Sequence, residues 1–410
     1  MIGETQMDVV GGTYEEWCLR PSWHEVFGSA GRAASAIAAM VGPGKVALHC
    51  YTDARTRPVL QARCALEGTR LVSTAVPATC SFRYIHALHR PEIEGPRSAY
   101  SSIVVKAESI LRFGMLEGDA VVHGKRVVYD PQGSVTEGPF ETNGSSANEL
   151  FVVLNEREAL MMTRLGGGAT ALELAQATRA QQGARGVVLK RGPLGALVLE
   201  GEEWTEVPAF QTDTVWKIGS GDVFAANFAR SWAMEGRGAS ESAFRASLAT
   251  AVYCDGRGFP DLSMLDAFPA KPVQTSVRWM AGWRPRIYLA SPIFTLAQLW
   301  LVEQARENLR GFGLEVFSPF HDVGYGSADD VVQRDLEGIH MSDLVFAIVD
   351  GLDSGTIYEI GYARAQGKPV VVYCENESSE SLKMLEGSGC ALCKDYVSSI
   401  YHALWAAMTI

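Results

Sequence analysis

The chain is predicted to be an α/β protein of two domains, the second a smaller doubly wound parallel-sheet domain. Three observations carry that expectation. Apolar strand-like runs alternate with amphipathic stretches along most of the 410 residues, the pattern of layered strand–helix units. The alternation breaks in "FPAKPVQTSVRWMAGWRPR", whose three prolines and lack of period read as a linker. Beyond it the rhythm restarts with "RIYLASPIF". The expected division is therefore residues 1–270, a linker at 271–284, and residues 285–410.

Each element is justified in turn by its period and its boundaries. In the first domain "GKVALHC", "RVVYDPQG", "LFVVLN" and "RGVVLKRG" are short apolar runs bounded by polar or turn residues, hence strands. The stretches "SAGRAASAIAAM", "NEREALMMTRL" and "SGDVFAANFARSWAM" carry helical spacing. In the second domain "RIYLASPIF" begins a strand and "AQLWLVEQARENLRGFG" follows as a helix. "LEVFSPF" is a strand and "HDVGYGSADD" a polar loop. The segment "VVQRDLEGIHMSDLVFAIVDG" is then a helix running into a strand. His86 and His89, in the strand-like "FRYIHALH", would face opposite sides of a strand and are read as lid or surface residues.

Composition narrows the class. Hydrophobic residues at 47% and charged residues at 20% are those of an ordinary soluble enzyme. A net charge of −11 argues against general binding to nucleic acid or an anionic membrane, and leaves small phosphorylated substrates open. The N-terminal stretch lacks the basic and apolar regions of a signal peptide, and no apolar run approaches the ~18 residues of a membrane span. Eight cysteines scattered through hydrophobic segments suit a reduced compartment, so the expected location is cytoplasmic. Cys390 and Cys393 form a CxxC without a second pair, which argues against zinc.

In "DTVWKIGSGDVFAANFARSW", Gly219, Ser220 and Gly221 can form a tight turn feeding a helix. Amide groups at such a helix start face an anion, and the helix dipole favours negative charge there. Asp222 would stand beside that anion and could take the proton of an attacking hydroxyl. The competing reading is a plain N-cap after a glycine turn. Taken with "VVYDPQG" (Asp130), "LNEREAL" and "VVLKRGPLGALVL", the order and spacing resemble the ribokinase (PfkB-type) carbohydrate and nucleoside kinase family over residues 8–265. That resemblance implies a ribokinase-like three-layer domain using ATP and Mg²⁺. It makes Asp222 the base and Gly219 to Gly221 the anion hole. Lys190, Gly192 and Gly195 would lie beside the nucleotide, and Asn155 and Glu158 would organise Mg²⁺ through water. The sugar end departs from the family pattern. "GSAGRAAS" has Arg32 and Ala33 where the family has an Asn, and "GGTYEEW" offers Glu15 or Glu16 in place of an early Asp.

In "DGLDSGTIYEIGYARAQGKPVVVY", Ser354 or Thr356 can cap a helix that Gly367 ends. Glu359 then stands near the N-terminal end of that helix, at the carboxyl edge of the strand "LVFAIVDG", the edge where open α/β sheets bind ligands. A carboxylate among apolar neighbours is costly unless paired or kept for chemistry, and attack on an anomeric carbon uses such a group. Asp350 and Asp353 in the same loop could orient it or handle a proton. The competing reading is a Glu satisfied by local N–H groups.

With "IYLASPIF" ahead of it, the Asp-Ser-Gly-Thr-x-x-Glu-x-Gly core resembles the nucleoside 2-deoxyribosyltransferase family over residues 285–375. The resemblance implies a flavodoxin-like sheet with Glu359 as nucleophile and Asp353 as acid–base partner. Tyr288 would lie near the nucleophile, and Asp335 would contact base or sugar. It also implies a homo-oligomer through this domain. Together the motifs imply a protein of nucleoside or nucleotide metabolism. One domain would cleave or exchange an N-glycosidic bond, and the other would phosphorylate a nucleoside or sugar with MgATP. The alternative is a stress or phage-defence protein whose kinase fold senses a nucleotide and gates an N-glycosidase.

Overall fold

The computed structural model describes residues 6–96, 100–133 and 139–410. The chain forms two compact units: Met1–Thr212 with Trp216–Pro272, and Val273–Ile410 with the short segment Asp213–Val215.

Among the described residues, the first unit is built on a nine-stranded sheet. Its order is Glu203–Val207, Ala196–Glu200, Gly186–Lys190, Ser146–Asn155, Ala120–Asp130, Ile103–Phe113, Met7–Val10, Val46–Thr52 and Arg70–Ala75. The first three strands pair antiparallel and the rest parallel. Both faces are buried, and the two-residue period of a strand divides the core. Val9, Leu111, Val153 and Val188 enter one cluster while Val10, Ile110, Val152 and Val187 enter the other. The first cluster is completed by Ile37 from the helix Gly28–Val41 and by Phe224 and Phe228 from the helix Ser220–Ala229. Leu174 and Ala175 of the helix Ala171–Gln182 complete the second. Helices on both faces of a sheet make three layers.

Two features differ from expectation. A small sheet of Trp23–Val26, Glu15–Cys18, Ser81–Tyr84 and Glu92–Glu94 stands apart from the main one. Its strands are three or four residues long and half exposed, so they leave no clear periodicity. His86 and His89 are not on a strand. The strand ends at Tyr84 and a turn follows, in which the His89 amide donates to the His86 carbonyl at 2.9 Å. The two rings are edge to face at 5.7 Å and His86 is buried, which corrects the surface reading.

The second unit is a five-stranded, fully parallel sheet ordered Glu315–Phe317, Arg286–Ala290, Leu344–Ile348, Val370–Tyr373 and Ala391–Cys393. In chain order this is 2-1-3-4-5, the flavodoxin-like doubly wound arrangement. The order reverses between Arg286–Ala290 and Leu344–Ile348, and sheets of this kind bind ligands beyond the carboxyl ends of the strands at that point. Most of the expected linker belongs to this unit. Ser276 caps a short helix, Val277–Met280, and its amide donates to the Met408 carbonyl at 2.7 Å. Trp279 is buried there, with the Arg284 guanidinium 4.0 Å above its ring. Among the described residues no helix is long and apolar enough to cross a membrane. All eight cysteines are free and buried.

Candidate active sites

In the second unit, the loop after Leu344–Ile348 turns sharply through Gly351 and Leu352, the latter at φ 48°. That is a strained conformation for a branched side chain. It delivers Asp353 as the N-cap of the helix Ser354–Ala365, where its Oδ2 accepts from the Thr356 amide at 2.8 Å and the Thr356 hydroxyl at 2.9 Å. Asp353, rather than Ser354 or Thr356, is therefore the cap. Its Oδ1 lies outside that arrangement. Glu359 follows in the second turn of the helix.

Tyr288, on the strand Arg286–Ala290, is fully buried and its hydroxyl donates to Glu359 Oε1 at 2.6 Å. Burial pushes the Glu359 carboxyl up to about 7; the Tyr288 hydrogen bond opposes the shift, and the charges of Asp335 and Asp353 add to it. Burial and the Glu359 charge also raise Tyr288 far above the usual phenol range, so it remains a donor. Asp335 comes from the helix Ala328–Met341. Its Oδ1 is buried without a hydrogen-bond partner and burial raises its pKa. Three residues on, Gly338 lets that helix lie against the Phe317 ring: a Cβ there would stand 2.4 Å from a ring carbon. Residues three apart share a helix face, so the same approach brings Asp335 toward the sheet. Phe317 in turn stacks on Tyr288, with ring centroids 5.6 Å apart.

Asp350 bridges neighbouring loops. Its carboxylate accepts from the amides of Glu375 at 3.1 Å and Asn376 at 2.8 Å, tying together two loops at the sheet edge. Four of the five expected side chains thus act on one another: Tyr288 reaches Glu359 by a hydrogen bond, and Asp335 and Asp353 act on it through their charges.

In the first unit Gly219, at φ 76°, turns the chain into the helix Ser220–Ala229. Two lysines flank the turn. Lys190, at the end of its strand, donates to buried Asp130 at 2.6 Å, and a Cβ on Gly221 would lie 3.4 Å from its Nζ. Lys217 donates to the Ser220 hydroxyl at 2.9 Å and burial lowers its pKa. Burial pushes Asp130 up to about 7 against the pull of Lys190. Gly192 and Gly195 both take positive φ, and a Cβ on Gly195 would strike the Val207 carbonyl at 1.9 Å.

Asp222 is surrounded. Arg32 donates to its Oδ2 at 2.8 Å, and Gln132, itself at φ 53°, donates to its Oδ1 at 3.0 Å. Arg32 also donates to Glu16 at 2.7 Å, and Glu16 accepts from the Gly28 amide at 3.2 Å. Of the two early acids it is Glu16 that points inward; Glu15 pairs with Arg55 at 2.9 Å and His24 at 3.0 Å. Asn155 and Glu158 form a reciprocal capping box: Asn155 Oδ1 accepts from the Glu158 amide at 2.9 Å, and Glu158 Oε2 from the Asn155 amide at 2.8 Å. Among the described residues no group of three or more His, Cys, Asp or Glu could hold a metal. Direct coordination by Asn155 and Glu158 does not fit. Glu158 Oε1, outside the box, fits only contact with a hydrated cation.

Sequence reasoning missed Lys217 and Gln132. The lysine carried a usable signal, standing two residues before the glycine turn; Gln132 carried none, because only its backbone angle turns it toward Asp222.

Two stretches of the chain match known families. Residues 123–259 match the model of the pfkB family carbohydrate kinases, and residues 287–391 that of the nucleoside 2-deoxyribosyltransferases. Similar solved structures include the nucleoside kinase of Methanocaldococcus jannaschii, an archaeal member of the ribokinase family (10% identity, 65% of this chain, 100% of that one, TM-score 0.47). Others are a ribokinase from Thermotoga maritima (16%, 65%, 96%, 0.43) and the phosphofructokinase-2 of Escherichia coli in complex with potassium (13%, 64%, 97%, 0.46). No curated protein matches the chain.

Proposed function

Since the chain joins a pfkB-family carbohydrate kinase domain to a nucleoside 2-deoxyribosyltransferase-family domain, we propose that its C-terminal unit breaks the N-glycosidic bond of a nucleoside or nucleotide through Glu359. The observation that carries this reading is the Tyr288–Glu359 hydrogen bond of 2.6 Å at a poorly solvated carboxylate. A carboxylate held by one donor on Oε1 keeps Oε2 for attack. That oxygen forms a bond to the anomeric carbon, the carbon–nitrogen bond breaks, and its electron pair leaves with the base. The departing nitrogen needs a proton, which Asp353 relays to it from solvent water. A second base, or water, then attacks the same carbon and frees Glu359; the first gives exchange and the second hydrolysis.

The test is a mass measurement. After reaction with substrate and no acceptor, the peptide containing Glu359 should gain one ribosyl or deoxyribosyl unit. An adduct on another carboxylate would sink the assignment.

For the N-terminal unit, the reading is that Gly219–Gly221, Lys190 and Gly192–Gly195 hold ATP. Mg²⁺ would enter with the nucleotide, reach Glu158 through water, and supply charge neutralisation at the phosphates. As a kinase, the unit would use Asp222 to take the proton of a nucleoside or sugar hydroxyl. On that kinase reading, incubation with MgATP and a nucleoside and pentose panel gives a phosphorylated product that Asp222→Asn abolishes, and absence of product speaks for the second reading below. A second reading, a nucleotide sensor that governs the C-terminal site, is favoured by the Arg32–Asp222 ion pair, which occupies the base.

A further inference from the structure

We propose that Arg32 is a resident occupant of the acceptor seat, so that the N-terminal unit receives a nucleoside polyphosphate and withholds phosphoryl transfer. The proposal rests on the reading that the Gly219–Gly221 turn, with Lys190 and Lys217, holds the phosphates.

The acceptor seat is defined by what transfer requires. The attacking oxygen must stand between the phosphorus at the glycine turn and the carboxylate that takes its proton. Arg32 fills that place. A Cβ on Gly219 would lie 2.1 Å from both Cδ and Nε of Arg32, so the side chain lies flat against the turn. Its Nη1 holds Asp222 at 2.8 Å and its Nη2 holds Glu16 at 2.7 Å. The side chain is 2% exposed.

The guanidinium does not vacate this place easily. It stays protonated at any physiological pH, and its departure would strand two buried carboxylates without a counter-charge. An acceptor hydroxyl carries no charge to offset that loss. A bound phosphate also answers a second observation. Arg32 Nε is a buried donor without a partner, lying against the turn where a phosphate oxygen would sit. Orphan buried donors are rare and costly, and one facing an anion hole is satisfied when the anion arrives. Arg32 therefore contacts the donor phosphate and excludes the acceptor at once.

The test uses the full chain, MgATP and the double variant E16Q/R32N, which removes the cation while leaving Asp222 as the sole carboxylate of the trio. Wild type should bind MgATP by calorimetry yet release no ADP above blank, with or without nucleosides and pentoses. The double variant should bind MgATP and release ADP at least ~10-fold faster than wild type, with water as the acceptor and Asp222 taking its proton. Water forms the new bond to the γ-phosphorus and the β–γ bridging oxygen leaves with ADP. Adding Asp222→Asn should abolish the gain. Wild-type transfer that Asp222→Asn removes would overturn the proposal, as would a folded, ATP-binding double variant with no gain. If the double variant does not fold, Arg32→Lys replaces it under the same outcomes, since one ammonium cannot span both carboxylates. Absence of MgATP binding by wild type would instead overturn the phosphate reading beneath the proposal, before any turnover is measured.

Discussion

Tyr288 and Glu359 stand on different elements, a central strand and the helix that follows its neighbour Leu344–Ile348, and meet through one hydrogen bond of 2.6 Å. Neither is placed by local sequence alone. The bond exists because the strands Arg286–Ala290 and Leu344–Ile348 pair in parallel, with Tyr288 beside Val345. The rate and its pH dependence should follow from this pair.

Glu359 attacks only when ionised. With its carboxyl pushed up to about 7 by burial, glycosidic cleavage should rise as pH increases through about 7 and level off above. Glu359→Gln should lose at least ~10³-fold at every pH, because a carboxamide cannot form the ester. The sign for stability is opposite. A raised carboxyl pKa means the folded chain binds more protons than the unfolded one between about 4.5 and 7. This group therefore subtracts stability above that window and little below it. Glu359→Gln should raise the thermal midpoint at pH 8 relative to wild type and change it little at pH 4, read by calorimetry.

Tyr288→Phe and Asp335→Asn should move the pH–rate midpoint in opposite directions. The Tyr288 hydroxyl favours the ionised Glu359, so its removal shifts the midpoint up, by about one unit for a charge-assisted hydrogen bond. The Asp335 charge disfavours that form, so Asp335→Asn shifts the midpoint down. Two profiles moving the same way would show that the pair does not set the nucleophile.

Lys190 and Asp130 form a buried pair at 2.6 Å, with Asp130 wholly inaccessible. Lys190→Met should cost about 3–5 kcal/mol of unfolding free energy in urea, since it leaves the buried carboxylate without its counter-charge, with only Gln132 donating to it. Adding Asp130→Asn should recover part of that loss. The single variant should also weaken ATP binding, and the double variant should not restore it, because the cation beside Gly221 is gone from both.

A fragment beginning at Val273 should fold by itself, since its sheet carries its own apolar cluster around Tyr288, Val345 and Ile360. A cooperative thermal transition measured by circular dichroism would bear this out. A fragment that aggregates would show that its core depends on the first unit.

Much of this was legible in the sequence, for physical reasons. "LFVVLN" and "LVFAIVDG" are continuous apolar runs because their strands are buried on both faces, and such runs resist any other reading. Glu359 was legible because a carboxylate among Ile357, Ile360 and Ala363 demands an explanation. The amide contacts of Asp350 were not legible, because a loop acid looks the same in sequence whether or not it ties down neighbouring amides. Arg32 could be read as a departure from a motif, but its place against Gly219 depends on two helices far apart in the chain. The small four-stranded sheet escaped notice since strands of three or four half-exposed residues have too few positions to establish a period.

Gly338 has a consequence for anyone who alters this protein. It packs against the Phe317 ring and makes no contact in the proposed chemistry. Yet a single methyl at that position would have to displace the Phe317 ring, which bears on Tyr288, which holds the carboxylate. A random library across this helix would therefore score position 338 as intolerant, while the exposed neighbour Glu337 accepts almost anything. A loss of turnover traced to Gly338→Ala would be a wedge driven from behind the reaction centre, transmitted through two aromatic rings.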